Sequence, residues 1–144
     1  MAGTLHDTVA TRLRGVQQRY TLRRRALVEA LAGTERPLAI ADLLAAQPVA
    51  AQSSVYRNLA VLGSAGVVRR VAAEDEFSRF ELAEDLTSHH HHLLCSACGR
   101  VADYTLPERL ERAMEKAITE VSSQTGFRAR AHRVDLVGVC AACA

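Results

Sequence analysis

Apolar residues recur along the first half of the chain at helical intervals and then, further on, in short runs. Leu5, Val9, Leu13 and Val16 share one helical face and predict a first helix over residues 5–19. Leu22, Ala26, Leu27, Ala30 and Leu31 predict a second, capped by Thr21 and stopped by Gly33. Residues 39–47 read as a short third helix ended by Pro48, and residues 51–65 as a fourth ended by Gly66. In the fourth, Val55, Leu59 and Leu62 fall at i, i+4 and i+7 and form the stripe to be buried. Two short strands follow at 67–71 and 77–82, with AAEDE as the turn between them. After a polar stretch at 83–88 the pattern resumes with strands at 89–95 and 100–104. A long helix at 108–125 follows, with Pro107 at its start and Gly126 at its end, and then a strand at 127–139. Leu110, Met114, Ala117, Ile118 and Val121 line the long helix, and His132, Val134 and Leu136 share a face of the last strand.

Helices followed by a β-hairpin give the element order of a winged helix-turn-helix. The predicted fold class is α+β, divided into a winged unit at 1–82, a hinge at 83–88 and a small α/β unit at 89–144. A length of 144 residues with 49% hydrophobic positions is enough for one domain or two small ones, and the shortage of aromatics (4%, no Trp) makes the core aliphatic. Charge divides the same way. Residues 1–80 carry 11 Arg against 7 acids (+4), while residues 81–144 carry 7 Arg or Lys against 9 acids (−2). Seventeen of the eighteen basic residues are Arg, a bias that coding composition could produce as readily as phosphate binding. The start, MAGTLHDTVATRLRG, has no apolar signal region, and no run of 18 apolar residues exists, so a cytoplasmic protein without a membrane span is expected.

The fourth predicted helix has a second face, carrying Gln52, Ser53, Tyr56, Arg57 and Ala60. Small polar groups, one aromatic ring and one guanidinium suit a helix that enters a major groove, although an ordinary solvated face looks the same. Arg23, Arg24 and Arg25 stand in the first turns of the second helix, where positive charge opposes the helix dipole; an approaching polyanion would relieve that.

Metal chemistry is concentrated in SHHHHLLCSACG, residues 88–99. Four histidines at a terminus would be a purification tag, but this run is internal and leads into a C-x-x-C. Cys95 and Cys98 are matched by Cys140 and Cys143 at the same spacing, and each pair can clamp two corners of a tetrahedron. A closed four-cysteine zinc site would staple the C-terminus to the knuckle; a redox C-x-x-C or two disulfides are the alternatives. If residues 89–95 form a strand, His89 and His91 point one way and His90 and His92 the other. One strand would then feed two metal sites, the first completed by His132 and Glu108 or Glu111, the second joined by Glu81. An enzymatic zinc is the competing reading, but no H-E-x-x-H or comparable catalytic spacing appears, so a non-enzyme is expected.

These motifs resemble the ferric uptake regulator family of metal-responsive repressors. The residues that carry the resemblance are SSVYRNL, AGVV, RFEL, HHHHLLCSACG, TGF and HRVDLVGVCAAC, from about Tyr20 to Cys143. It implies a winged-helix DNA-binding domain followed by a small α/β dimerisation domain with structural zinc. It also implies a homodimer that binds palindromic double-stranded operator DNA when a regulatory divalent metal, zinc or iron, is bound. By position it implies DNA contacts from Arg23, Arg24, Gln52, Ser53, Ser54, Tyr56 and Arg57, and structural zinc on Cys95, Cys98, Cys140 and Cys143. His89, His91, Glu111 and His132 match a site inside the dimerisation domain, with Glu108 as the fallback carboxylate. Glu81, His90 and His92 match a hinge regulatory site. The family commonly adds a histidine there after the second helix, but this chain has Arg36-Pro37-Leu38. Zinc-sensing members instead use an acid early in the wing and a cysteine after it, where this chain has Arg69 and Ala83. A further hinge ligand is therefore expected from His6, Glu74, Asp75 or Glu76. A peroxide sensor on the same fold is the alternative function.

Overall fold

Thr4 opens the first helix, α1 (Leu5–Gly15), with a reciprocal cap: its hydroxyl accepts from the Asp7 amide at 3.2 Å, and the Asp7 carboxylate accepts from the Thr4 amide at 3.0 Å. The computed structural model describes residues 4–71 and 78–144. Helix α1 ends earlier than its apolar spacing suggested, because Gln17 adopts a left-handed φ of 58° and Val16 turns out to solvent. Thr21 caps α2 (Leu22–Ala32) by accepting from the Arg24 amide, and Leu27, Val28 and Leu31 point inward. A two-residue strand, β1 (Leu38–Ala39), follows where the sequence suggested only the start of a helix; its pairing partner lies forty residues away, so local pattern could not show it. Helices α3 (Ile40–Ala46) and α4 (Gln52–Ser64) come next.

The predicted stripe of α4 is buried as read: Val55, Leu59 and Leu62 are 1%, 3% and 0% exposed. Gly66, at φ 73°, makes the left-handed turn into β2 (Val68–Val71), which pairs with β3 (Arg79–Leu82). The sheet order is β1-β3-β2, all antiparallel. The expected AAEDE turn and Phe77 lie outside the described residues. One aliphatic core runs from Val9 and Leu13 through Leu27, Val28, Leu43, Val55 and Leu62 to Val67 and Leu82.

A single 3-10 turn (Glu84–Leu86) leads out of this sheet, and Arg12 of α1 ties it down by bonding to Asp85 and to the Gly66 carbonyl. The second half is β4 (His91–Cys95), β5 (Val101–Tyr104), α5 (Glu108–Thr125) and β6 (Asp135–Gly138). Strand β4 is central, antiparallel to β5 and parallel to β6, and α5 supplies the crossover that a parallel pair needs. His89 and His90 precede the strand, and residues 127–134, read as strand from their composition, have no regular structure.

This half is thinly packed. Its buried cluster is Leu94 and Val101, packed against Val71 of β2. Helix α5 buries no residue, and Leu110, Val121, Leu136, Val137 and Val139 are all exposed by 39–55%. The helix and edge strand β6 thus leave a row of apolar side chains uncovered.

Candidate metal centres

Three groups of donors assemble around β4. Within each, the ligand atoms lie within 4.8 Å of one another.

The four thiols come from the β4–β5 knuckle and from the chain end beyond β6. Gly99, at φ 73°, lets the knuckle turn back so that Cys98 faces the C-terminus. The Cys98 and Cys140 sulfurs are 3.8 Å apart. That is too long for a disulfide, and it matches the edge of about 3.8 Å expected of a tetrahedron with Zn–S bonds of about 2.3 Å. All four cysteines are free. The Cys140, Cys98 and Ala97 amides point at the Cys95 sulfur and hold its thiol at about 6, while hydrogen bonding with the Cys140 and Cys98 thiols pushes Cys143 up to about 12. The first thiolate is favoured and the last opposed, so a central dication would complete what the protein alone resists. The donor set fits structural zinc.

The second group is His89, His91, Glu111 and His132. Glu111 is the shared acceptor, with His89 Nε2 at 3.3 Å, His132 Nε2 at 3.2 Å and His91 Nε2 bonded to its other oxygen. Burial would raise the Glu111 pKa, but the hydrogen bond from His91 and the charges of His91, His89 and His132 lower it. The fallback Glu108 is elsewhere, exposed and paired with Arg112.

The third group is Glu81, His90, His92 and Asp103. One Glu81 oxygen, Oε2, receives both His90 Nε2 at 2.9 Å and His92 Nε2 at 3.0 Å, and Asp103 stands 3.9 and 3.7 Å from the same two nitrogens. The other Glu81 oxygen is gripped by the Arg69 Nε at 2.5 Å from the neighbouring strand. The expected alternation therefore holds, even though two of the four histidines lie ahead of the strand.

Asp103 stands as a fourth donor in this group, and no spacing rule pointed to it. It is opposite His92 in the β4–β5 register, a relation fixed only once the knuckle turn is known. His6 is far from this group; its ring nitrogens face the Tyr20 hydroxyl at 2.7 Å and the Glu29 carboxylate at 3.5 Å. Glu74, Asp75 and Glu76 lie outside the described residues.

Protonation of the hinge group follows from its packing. Burial would raise Glu81, but hydrogen bonds from His92 and His90 and the charges of His92 and Arg69 outweigh it and hold the carboxyl at about 2. Burial would lower His90, but the Glu81 hydrogen bond, the Ser88 carbonyl and the charges of Glu81 and Asp103 raise it above 6.5. The depressed Glu81 adds stability above 4.5 that is lost as pH falls towards about 2. The raised His90 adds stability below 6.5 that is lost as pH rises through its raised value. A metal needs His90 without its proton, so added metal should raise the melting temperature more above that value than below 6.5. Thermal unfolding with and without zinc at both pH values checks this; equal shifts would contradict it.

On the winged side, Gln52, Ser53 and Arg57 are exposed on α4 and Tyr56 is 48% exposed. Ser54, Arg23 and Arg24 are engaged within the protein. Arg23 reaches the Ser54 hydroxyl at 3.3 Å, and Arg24 bonds to Asn58 at 3.0 Å and to the Arg19 carbonyl at 2.6 Å. These contacts join the start of α2 to α4 and offset part of the unfavourable charge in that first turn.

A profile of the ferric uptake regulator family matches residues 15–137. The chain belongs to the ferric uptake regulator family. The peroxide operon regulator of Bacillus subtilis is 32% identical over 91 residues, a stretch covering 63% of this chain but only 57% of that relative. The ferric uptake regulator of Vibrio cholerae is 26% identical, with a TM-score of 0.69 over 90% of this chain and 98% of its own. A zinc-bound manganese uptake regulator is 27% identical, with a TM-score of 0.65 over 96% and 99%. The α+β winged fold with a zinc-type cysteine cluster is thus the family's fold. No helix among the described residues is long and apolar enough to cross a membrane.

Proposed function

We propose that this chain is a metal-dependent transcriptional repressor of metal-homeostasis genes, binding palindromic operators as a homodimer once the hinge group is loaded. The observation that carries the reading is the mixed origin of the hinge donors. Glu81 belongs to the winged sheet, whereas His90, His92 and Asp103 belong to the sheet of the second half.

In this reading residues 1–82 are the DNA-binding unit and residues 89–144 the dimerisation unit. A divalent ion at the hinge would supply one positive centre attractive to donors on both sheets. Glu81 then fixes the winged unit relative to His92 and Asp103, and Arg69 keeps Glu81 oriented from β2. The dimer is biased toward one spacing of its two α4 helices, and DNA reads that spacing. Tyr56 and Gln52 face base edges, Arg57 takes a base or phosphate, and Arg23 and Arg24 hold α4 in place from behind. The exposed apolar line of α5 and β6 provides the second copy's seat. The family's members are regulators of transcription, and we assign no catalytic role to the clusters.

The test is a titration of a palindromic operator duplex with protein at buffered free zinc, iron(II), manganese or nickel. At least one metal should tighten binding by about 5–150-fold, the range of ordinary allosteric coupling. Equal binding with and without every metal would overturn the reading.

A peroxide-responsive variant is the second reading, favoured by the relative from Bacillus subtilis and by a hinge donor set of two imidazoles and two carboxylates without thiolate, which suits iron. Iron-loaded protein exposed to peroxide should then gain oxygen on His90 or His92 by mass spectrometry; unmodified histidines would exclude it.

A further inference from the structure

The two histidine-rich groups differ in what stands behind their rings. In the hinge group each imidazole is held from both sides. His90 presents Nε2 to Glu81, and its Nδ1 lies 2.8 Å from the Ser88 carbonyl. His92 presents Nε2 to Glu81, and its Nδ1 lies 3.3 Å from Oδ1 of Asp135 on β6. In the other group His89 is backed at Nδ1 by the Glu84 carboxylate, but the Nδ1 of buried His91 has no partner among the described residues.

From this asymmetry we infer that Asp135 is a positioning residue for the hinge metal site, orienting His92 and fixing which of its nitrogens is free to bind a metal. The inference rests on the hinge reading given above. Carbonyl and carboxylate oxygens only accept, so the Ser88 and Asp135 contacts hold a hydrogen on Nδ1 of His90 and His92, while in the absence of metal Nε2–H of each ring donates to Glu81. A metal would displace the Nε2 proton that faces Glu81 and Asp103, and the outer acceptor would keep the other hydrogen on Nδ1, as an outer carboxylate does for a ligating histidine.

The contact is built into the sheet. His92 is the central member of a three-strand row, opposite Asp103 on β5 and opposite Asp135 on β6. Its side chain is 3% exposed, so the ring has little freedom to find another partner. Asp135 also approaches Arg133, at 3.8 Å, through its other oxygen, leaving Oδ1 for the ring. The same short segment serves all three groups: His132 lies just before Asp135, and Cys140 lies just after the strand. The orientation of His92 therefore depends on β6, which is held by its pairing with β4, by Ser96 and by the cysteine cluster beyond it.

The experiment is a cobalt(II) titration of full-length, zinc-replete protein against a competing chelator, read by the visible ligand-field spectrum. His92→Ala identifies the hinge phase as the phase it removes. Asp135→Ala should weaken that phase by about 10–100-fold and alter its spectrum, with zinc on the cysteines unchanged. Asp135→Asn, whose amide oxygen still accepts from Nδ1–H, should recover the greater part of the affinity. An Asp135→Ala protein with wild-type affinity and spectrum would overturn the inference while His92→Ala still marks the site. An Asp135→Asn protein no better than Asp135→Ala would overturn it too, since the acceptor would not be what matters. If His92→Ala removes no phase, the hinge assignment itself fails, and with it the role of Asp135.

Discussion

Cys140→Ser is expected to release the structural zinc and to unfold the second half of the chain. Few apolar contacts oppose that outcome. The buried cluster there is Leu94 and Val101 against Val71 of β2, α5 buries nothing, and β6 is exposed along its length. What holds β6 against β4 is its parallel pairing, the Ser96 bonds to the Gly138 carbonyl at 2.8 and 3.1 Å, and the thiol cluster immediately beyond. Zinc on four thiolates is worth about 10–16 kcal/mol of apparent binding energy near neutral pH, against which a few edge hydrogen bonds at about 1 kcal/mol each are minor. A serine oxygen is a harder and far less acidic donor, so three thiolates would remain around an ion they cannot close over. Zinc content should fall by the cysteine-bound ion, and sedimentation should fall to the monomer's value. A zinc-replete, dimeric Cys140→Ser protein would contradict the four-cysteine site.

His90→Ala combined with His92→Ala is expected to abolish the metal stimulation of DNA binding while leaving a folded dimer. The two rings supply both nitrogen donors of the hinge, and both rest on a single Glu81 oxygen. With them gone, Glu81 keeps Arg69, and Asp103 loses both imidazoles that approach it. The cysteine cluster and the long aliphatic core lie outside the change, so circular dichroism and dimer mass should stay as in the wild type. Operator affinity should fall to its metal-free level at every metal concentration. Retained stimulation would remove the hinge from the mechanism.

Much of this site could be read from the chain because its spacing is local. Paired C-x-x-C motifs and four consecutive histidines need only the alternation of an extended chain to be sorted into three groups, and the structure sorts them that way. The stripe of Val55, Leu59 and Leu62 was equally legible, since helical spacing and burial coincide there. What escaped depends on pairing between distant residues. Asp103 becomes a hinge donor only through its register with His92, and Asp135 meets the same ring only because β6 runs parallel on the other side. β1 exists because β3 offers it an edge, which two residues of sequence cannot announce. The strand read over 127–139 shrank to Asp135–Gly138 because only that part pairs with β4; the rest carries His132 to Glu111 as irregular chain. The contacts of Arg23 and Arg24 with Ser54 and Asn58 likewise escaped, because those partners sit on a helix more than thirty residues away.

The central claim is a coupling free energy between hinge metal and operator, and such a coupling is reciprocal. Metal affinity at the hinge should therefore be measured twice on the same protein, free and saturated with operator duplex, by competition with a chelator. The account predicts that operator tightens metal binding by the same factor by which metal tightens operator binding, and that the factor vanishes in the double histidine variant. Identical metal affinities with and without operator, in a protein whose DNA binding responds to metal, would contradict it.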